Sequence, residues 1–164
     1  MYIHPNYDTP DRANDIALVK LKEPAIMSDT VSPACLPHQG DFGDNSTFGA
    51  GKNCILSGWG KVGHDESVSG NMDGLPWKLR QATLPLLEDD ECSRIYLEGA
   101  GFHIQETMQC AGGDGHTSCN GDSGGPLVCF NDEDQVWYQV IVTRVQGTTL
   151  GYMTDLGNFV RLEL

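Results

Sequence analysis

The sequence predicts an all-β protein. Twenty glycines and eight prolines are spread among short apolar runs, the punctuation of strands joined by turns. At 164 residues the chain is long enough for one domain with a real core and short for two. Asn14-Asp15 reads as a turn that opens a strand over Ile16–Leu21. Gln39 to Gly51 is a glycine- and asparagine-bearing loop. Cys54-Ile55-Leu56-Ser57 is an apolar strand ending in the glycine turn Gly58-Trp59-Gly60, and residues 61 to 77 read as an exposed loop. Leu79 to Leu87 is the next strand. Leu87 to Ile95, with Glu88, Asp89 and Asp90 ahead of Cys92, fits a short helix with an acidic first turn. Met108 to Gly113 is a strand and turn, and Pro126 to Phe130 and Val136 to Val142 are further strands.

Charge and cysteine usage narrow the class. A net charge of −13 argues against nucleic acid and anionic membrane surfaces as partners. Six cysteines (Cys35, Cys54, Cys92, Cys110, Cys119 and Cys129) form no C-x-x-C pair and sit near no histidine at ligand spacing, which argues against zinc and for disulfides in an oxidising compartment. No cofactor motif is present. Asn45-Ser46-Thr47 is an acceptor sequon for N-glycosylation and fits a secreted chain. Met1 to Asn6 has neither a basic start nor an apolar stretch of signal-peptide length, and no apolar run approaches the ~20 residues of a membrane span. A disulfide protein without an export signal leads to the expectation that polypeptide precedes residue 1.

The chemistry concentrates in Cys119-Asn120-Gly121-Asp122-Ser123-Gly124-Gly125-Pro126. A serine lies among three glycines and beside a carboxylate. Glycines permit backbone angles closed to other residues. Such a turn can aim its N–H groups at one point next to a hydroxyl, as a serine nucleophile and its oxyanion require.

With Asn14-Asp15-Ile16-Ala17-Leu18 and Ser57-Gly58-Trp59-Gly60, this stretch resembles the chymotrypsin-like (trypsin-type) serine endopeptidases over residues 2 to 142, and most closely the elastase and chymotrypsin branch. The resemblance implies an antiparallel Greek-key β-barrel architecture. Residues 1–35 would be the remnant of a first barrel and its connector, 52–142 a nearly complete second barrel, and 143–164 a divergent tail, together a partial peptidase domain. It implies Ser123 as nucleophile, Asp15 as the carboxylate that orients the catalytic histidine, and the N–H groups of Gly121 and Ser123 as the oxyanion hole. Thr117, Ser118 and Asn120 would line the substrate pocket. Thr117 supplies no charge at its base, so an apolar or aromatic side chain is expected there. Disulfides Cys54–Cys129 and Cys92–Cys110 are implied, with Cys35 and Cys119 lacking their family partners. Protein or peptide substrates and proteinaceous inhibitors are the implied partners.

The sequence also departs from the pattern. In the family order the histidine precedes the aspartate, and only His4, in the wrong context, precedes Asp15. His38, His64, His103 and His116 read as solvated loop residues. No base is present, and a triad lacking one member loses roughly 10⁴ to 10⁶ in turnover. The chain is therefore expected to be nearly inert as given. Asp122 has no obvious cationic partner, which suggests a zymogen-like serine loop. After Val142 the family's Ser-Trp-Gly-like strand is replaced by Thr143-Arg144-Val145. A non-catalytic homologue that binds partners with the same scaffold is the alternative. An α/β-hydrolase elbow fails, because the residues after Ser123 read as a strand and no histidine follows.

Overall fold

The computed structural model describes residues 1–7, 13–38, 40–42, 46–62, 75–101, 103–113, 115–144 and 156–161, with backbone alone for 99–100 and 156–161. Asn45, His64 and most of the 61–77 loop lie outside the described residues.

Among the described residues two sheets are present, both antiparallel. The first has two strands, β1 (Tyr2–Ile3) and β2 (Ala17–Leu18). The second contains β3 (Asn53–Gly58), β4 (Arg80–Pro85), β5 (Met108–Gly112), β6 (Pro126–Asn131), β7 (Val136–Arg144) and β8 (Leu156–Arg161), in the order β4-β3-β6-β7-β8-β5. Its two outer strands meet where Leu86, just past β4, bridges Ala111 of β5 and the Leu87 N–H donates to the Cys110 carbonyl at 3.0 Å. The sheet thereby closes on itself, which removes its open edges.

Strand alternation explains the core. Every second residue of a strand faces one side, and Cys54 and Leu56 of β3, Leu84 of β4, and Leu127 and Cys129 of β6 all point inward with Phe48, Leu86 and Ala111. In β7 the adjacent Val140 and Ile141 are both buried. Leu127 pairs with Ile141 and Val128 with Gln139, so Val140 is an extra residue at a β-bulge, which turns two neighbours to the interior.

The helix α1 (Asp89–Ala100) is longer than the Leu87–Ile95 reading. It runs on to Gly101, whose left-handed φ of 63° and N–H bond to the Leu97 carbonyl (3.0 Å) form the C-terminal stop. The strand expected over 16–21 is reduced to Ala17–Leu18. The sheet takes in β8, from the stretch read as a divergent tail, between β5 and β7.

Both implied disulfides are formed. Cys54–Cys129 ties β3 to β6 inside the core, and Cys92–Cys110 fastens α1 to β5 beside Tyr96. The thiols of Cys35 (exposed) and Cys119 are free. Among the described residues no helix is long and apolar enough to cross a membrane, and no three metal-binding side chains cluster.

Candidate active site

The serine loop links β5 to β6 and is built around Asp122. One carboxylate oxygen accepts from the Gly60 N–H at 2.8 Å, and the other from the Cys119 N–H at 3.0 Å. The sequence offered no cation for Asp122, and backbone donors fill that role here. Gly58 and Gly60 must be glycine for this packing, because a Cβ on either would collide with the Asp122 carboxylate. The backbone repeats the same clamp. Asp122 N–H donates to the Cys119 carbonyl (2.9 Å), Gly125 N–H to the Asp122 carbonyl (2.9 Å), and Lys61 N–H to the Asn120 carbonyl (2.9 Å).

This clamp sets the neighbouring residues. Gly121 takes φ +106° and lies on the Gly60 backbone, where a Cβ would come within 3.0 Å of the Gly60 Cα. Its N–H makes no hydrogen bond among the described residues. Ser123 is exposed at the tip, as are Gly121 and Asn120, while Ser118 is buried and Thr117 half-buried. The hydroxyls of Thr117, Ser118 and Thr143 are buried, with no hydrogen-bond partner among the described residues.

Asp15 reaches the same region from the amino-terminal segment. Asn14 adopts a left-handed φ of 54°, its side-chain amide donates to the Asn6 carbonyl (3.0 Å), and Ala13 is buried, which together present Asp15 outward. The ion-pair partner of Asp15 is Arg144 at the end of β7, with Nε 3.7 Å from Oδ2. The residue before it, Thr143, donates its N–H to the Gly125 carbonyl (2.8 Å) and accepts from the Gly124 N–H (2.7 Å). Two links thus connect Asp15 to the residue next to Ser123. Among the described residues no histidine pairs with Asp15. His4 accepts the Asn6 N–H, His38 pairs with Asp41, and His103 and His116 are exposed.

Arg144 is the site residue that sequence reasoning passed over. Its signal was an arginine closing the apolar run Val140-Ile141-Val142. Its guanidinium also acts on Tyr96 of α1. Burial pushes that phenol up to about 12, and the Arg144 charge pulls against the shift. An open cleft of about 450 Å³ between Ser46–Lys52 and Glu88 contains none of these residues.

A serine thus stands exposed on a carboxylate-anchored glycine loop, two links from a second carboxylate. The chain belongs to the trypsin family, whose model matches residues 1–158. It falls in the elastase/chymotrypsin branch. It is 40% identical over 139 residues to human chymotrypsin-like elastase family member 3B, covering 84% of this chain and 46% of that protein. It is 41% identical over 131 residues to bovine proproteinase E, covering 79% and 46%. The fold is similar to that of neuropsin, a serine protease expressed in mouse brain, with a TM-score of 0.73 and 31% identity, covering 98% of this chain and 63% of that one. The chain spans a little under half the length of the curated relatives it matches.

Proposed function

We propose that the chain carries the nucleophile side of a serine endopeptidase site that cleaves protein or peptide substrates through an acyl-enzyme. Ser123 is the nucleophile, Asp15 the orienting carboxylate, and the N–H groups of Gly121 and Ser123 the oxyanion donors. The observation that carries this reading is the Asp122 clamp, which holds Ser123 outward with Gly121 at φ +106°. Thr117, Ser118 and Asn120 form the substrate pocket. An apolar or aromatic preference is supported by the lack of charge on these side chains. Secretion is supported by the two disulfides, and protein inhibitors that present a loop to Ser123 are expected partners.

Among the described residues no base stands beside Asp15, and the chain is expected to turn over peptides at a small fraction of a complete triad's rate, on the order of 10⁻⁴ or less. The oxyanion donors still leave Ser123 more reactive than a surface serine. Prolonged incubation with a fluorophosphonate probe is expected to label the wild type above a Ser123→Ala control, with peptide hydrolysis near background. Label equal to that control after long incubation overturns the nucleophile assignment. The pairing of Asp15 with a cation that is not a histidine favours a second reading, a non-catalytic homologue that binds partners with the same scaffold. Peptide binding without label supports that alternative.

A further inference from the structure

Ala17 to Cys35 is a run of nineteen consecutive exposed residues, and Met1, Tyr2 and Ile3 beside it are exposed as well. The two-stranded ribbon is bare on both faces. Tyr2 lies opposite Leu18 and Ile3 opposite Ala17, so the two pairs face opposite ways. Tyr2, Ile3 and Leu18 are nevertheless all more than half exposed. Past the ribbon the apolar exposure continues through Val19, Leu21 and Ile26, the last 88% exposed.

The backbone there is open too. Among the described residues, nothing from Val19 to Met27 takes part in a hydrogen bond or an ion pair. Such a stretch is a strand edge of the kind that pairs with another chain. Its size is adequate: twenty-two exposed residues fall within the roughly 20–30 that each side of a stable interface contributes.

Charge selects the occupant. The chain carries a net charge of −13, so two copies repel over much of their surface. The acidic runs Glu88–Glu91 and Asp132–Asp134 lie outside Ala17–Cys35, which holds two lysines and two acids and is neutral. The order of those charges matters. Lys20 and Lys22 come first, Glu23 and Asp29 after them. Two copies laid antiparallel bring each pair of lysines to the other's acids, whereas a parallel arrangement sets like against like. A two-fold contact is self-complementary in this sense. We propose that this face joins two copies of the chain in a two-fold dimer, their Val19–Met27 edges antiparallel and their apolar side chains covering one another. This pairing does not depend on the roles of Asp15 and Ser123. Asp15 directly precedes the ribbon, so the dimer also braces the segment that carries it.

Sedimentation velocity on the full chain, over about a hundredfold range in concentration, is expected to show a monomer–dimer equilibrium that stops at two. Leu18→Lys with Ile26→Lys is expected to weaken the dimer at least tenfold. Leu97→Lys, at an exposed leucine of α1, is expected to leave it unchanged. Lys20→Glu with Lys22→Glu makes all four charges acidic and is expected to weaken the dimer at least tenfold. Adding Glu23→Lys and Asp29→Lys reverses the whole pattern, keeps its complementarity, and is expected to restore the wild-type affinity. All these positions are exposed, so equal urea midpoints should accompany every variant. A monomer at every concentration overturns the proposal and leaves the face to a different polypeptide. Open-ended assembly without a dimer overturns it too, as does an equal loss in Leu97→Lys. A fourfold variant as weak as Lys20→Glu with Lys22→Glu overturns the antiparallel pairing, and the dimer argued from it.

Discussion

Leu18 and Leu127 are both leucines in short antiparallel strands, yet Leu18 is 71% exposed and Leu127 is fully buried. The contrast extends to their surroundings. Residues 1–31 carry Tyr2, Ile3, Val19, Leu21, Ile26 and Met27, all more than half exposed, around a sheet of only two strands. Residues 53–144 place the same kinds of side chain on five strands of a six-stranded sheet that closes on itself. Two-stranded ribbons are marginal in water, and strand stability comes from what covers a face. Apolar content is similar in both regions; the difference is that the closed sheet supplies its own cover. Exposed apolar surface on this scale marks an interaction site or an aggregation liability. It also places Asp15 at the seam between a well-supported region and a poorly supported one, with the Arg144 ion pair across that seam.

The largest effect should come from unlinking the closed sheet. The Cys54–Cys129 disulfide spans 75 positions, worth about 4.5 kcal/mol on the chain-entropy estimate, and Cys92–Cys110 spans 18, worth about 3 kcal/mol. Replacing Cys54 and Cys129 by alanine should lower urea stability by about that larger amount. The amino-terminal region has no comparable cross-link among its described residues, since the Cys35 thiol is free. A loss below that of the Cys92–Cys110 double variant would show that the sheet does not depend on its longer staple.

Next come side-chain truncations, one in each region. Leu127→Ala removes a fully buried side chain and should cost about 3 kcal/mol, within the usual range for core leucines. Leu18→Ala and Ile26→Lys change exposed positions and should stay within about 0.5 kcal/mol. Ile26→Lys should also reduce self-association in analytical ultracentrifugation. Equal losses for Leu18→Ala and Leu127→Ala would break the comparison, because they would place Leu18 in a covered core.

The same contrast explains what could be read in advance. The serine loop was legible because its chemistry is local: glycines, carboxylate and serine are neighbours in sequence. The strands β3 and β6 were legible from short apolar runs between turn residues. Ile16–Leu21 looked like a longer strand on the same evidence, but only Ala17–Leu18 finds a partner across the ribbon. The helix reads in sequence as ending at Ile95, but it runs on to Ala100, and it is the left-handed φ of Gly101 that identifies the residue terminating it. Least legible were the contacts that join distant segments. Asp122 takes its donor from Gly60, 62 positions away, and Arg144 meets Asp15 from the far end of the chain. No local pattern encodes either contact.

A smaller effect tests the Asp122 clamp. Gly60→Ala puts a Cβ where the carboxylate lies, an overpacking expected to cost about 1–3 kcal/mol. It should also lower fluorophosphonate labelling of Ser123 more than it lowers stability. Gly40→Ala, where a Cβ meets nothing but φ is +94°, controls for backbone strain without the clash. Matching losses of label in both variants would mean that the serine loop does not depend on the clamp.

The smallest effect is a titration. The Tyr138 hydroxyl donates to the Asp134 carboxylate at 2.6 Å, and this bond, more than burial, raises the phenol from 10.0 to about 12. A raised native pKa means that the folded chain holds the proton more tightly than the unfolded one. The resulting stability is fully present below about pH 10 and is lost as pH rises through about 12. Tyr96 shifts in the same direction for another reason, burial against the Cys92–Cys110 disulfide. Asp134→Asn should therefore bring one tyrosine's ultraviolet titration back toward its ordinary range and leave the Tyr96 transition in place. If both tyrosines moved together, the two phenols would share one environment, and the separation of the helix-covered cluster from the β6–β7 hairpin would be wrong. If neither moved, the Asp134 bond would not be what holds the Tyr138 proton.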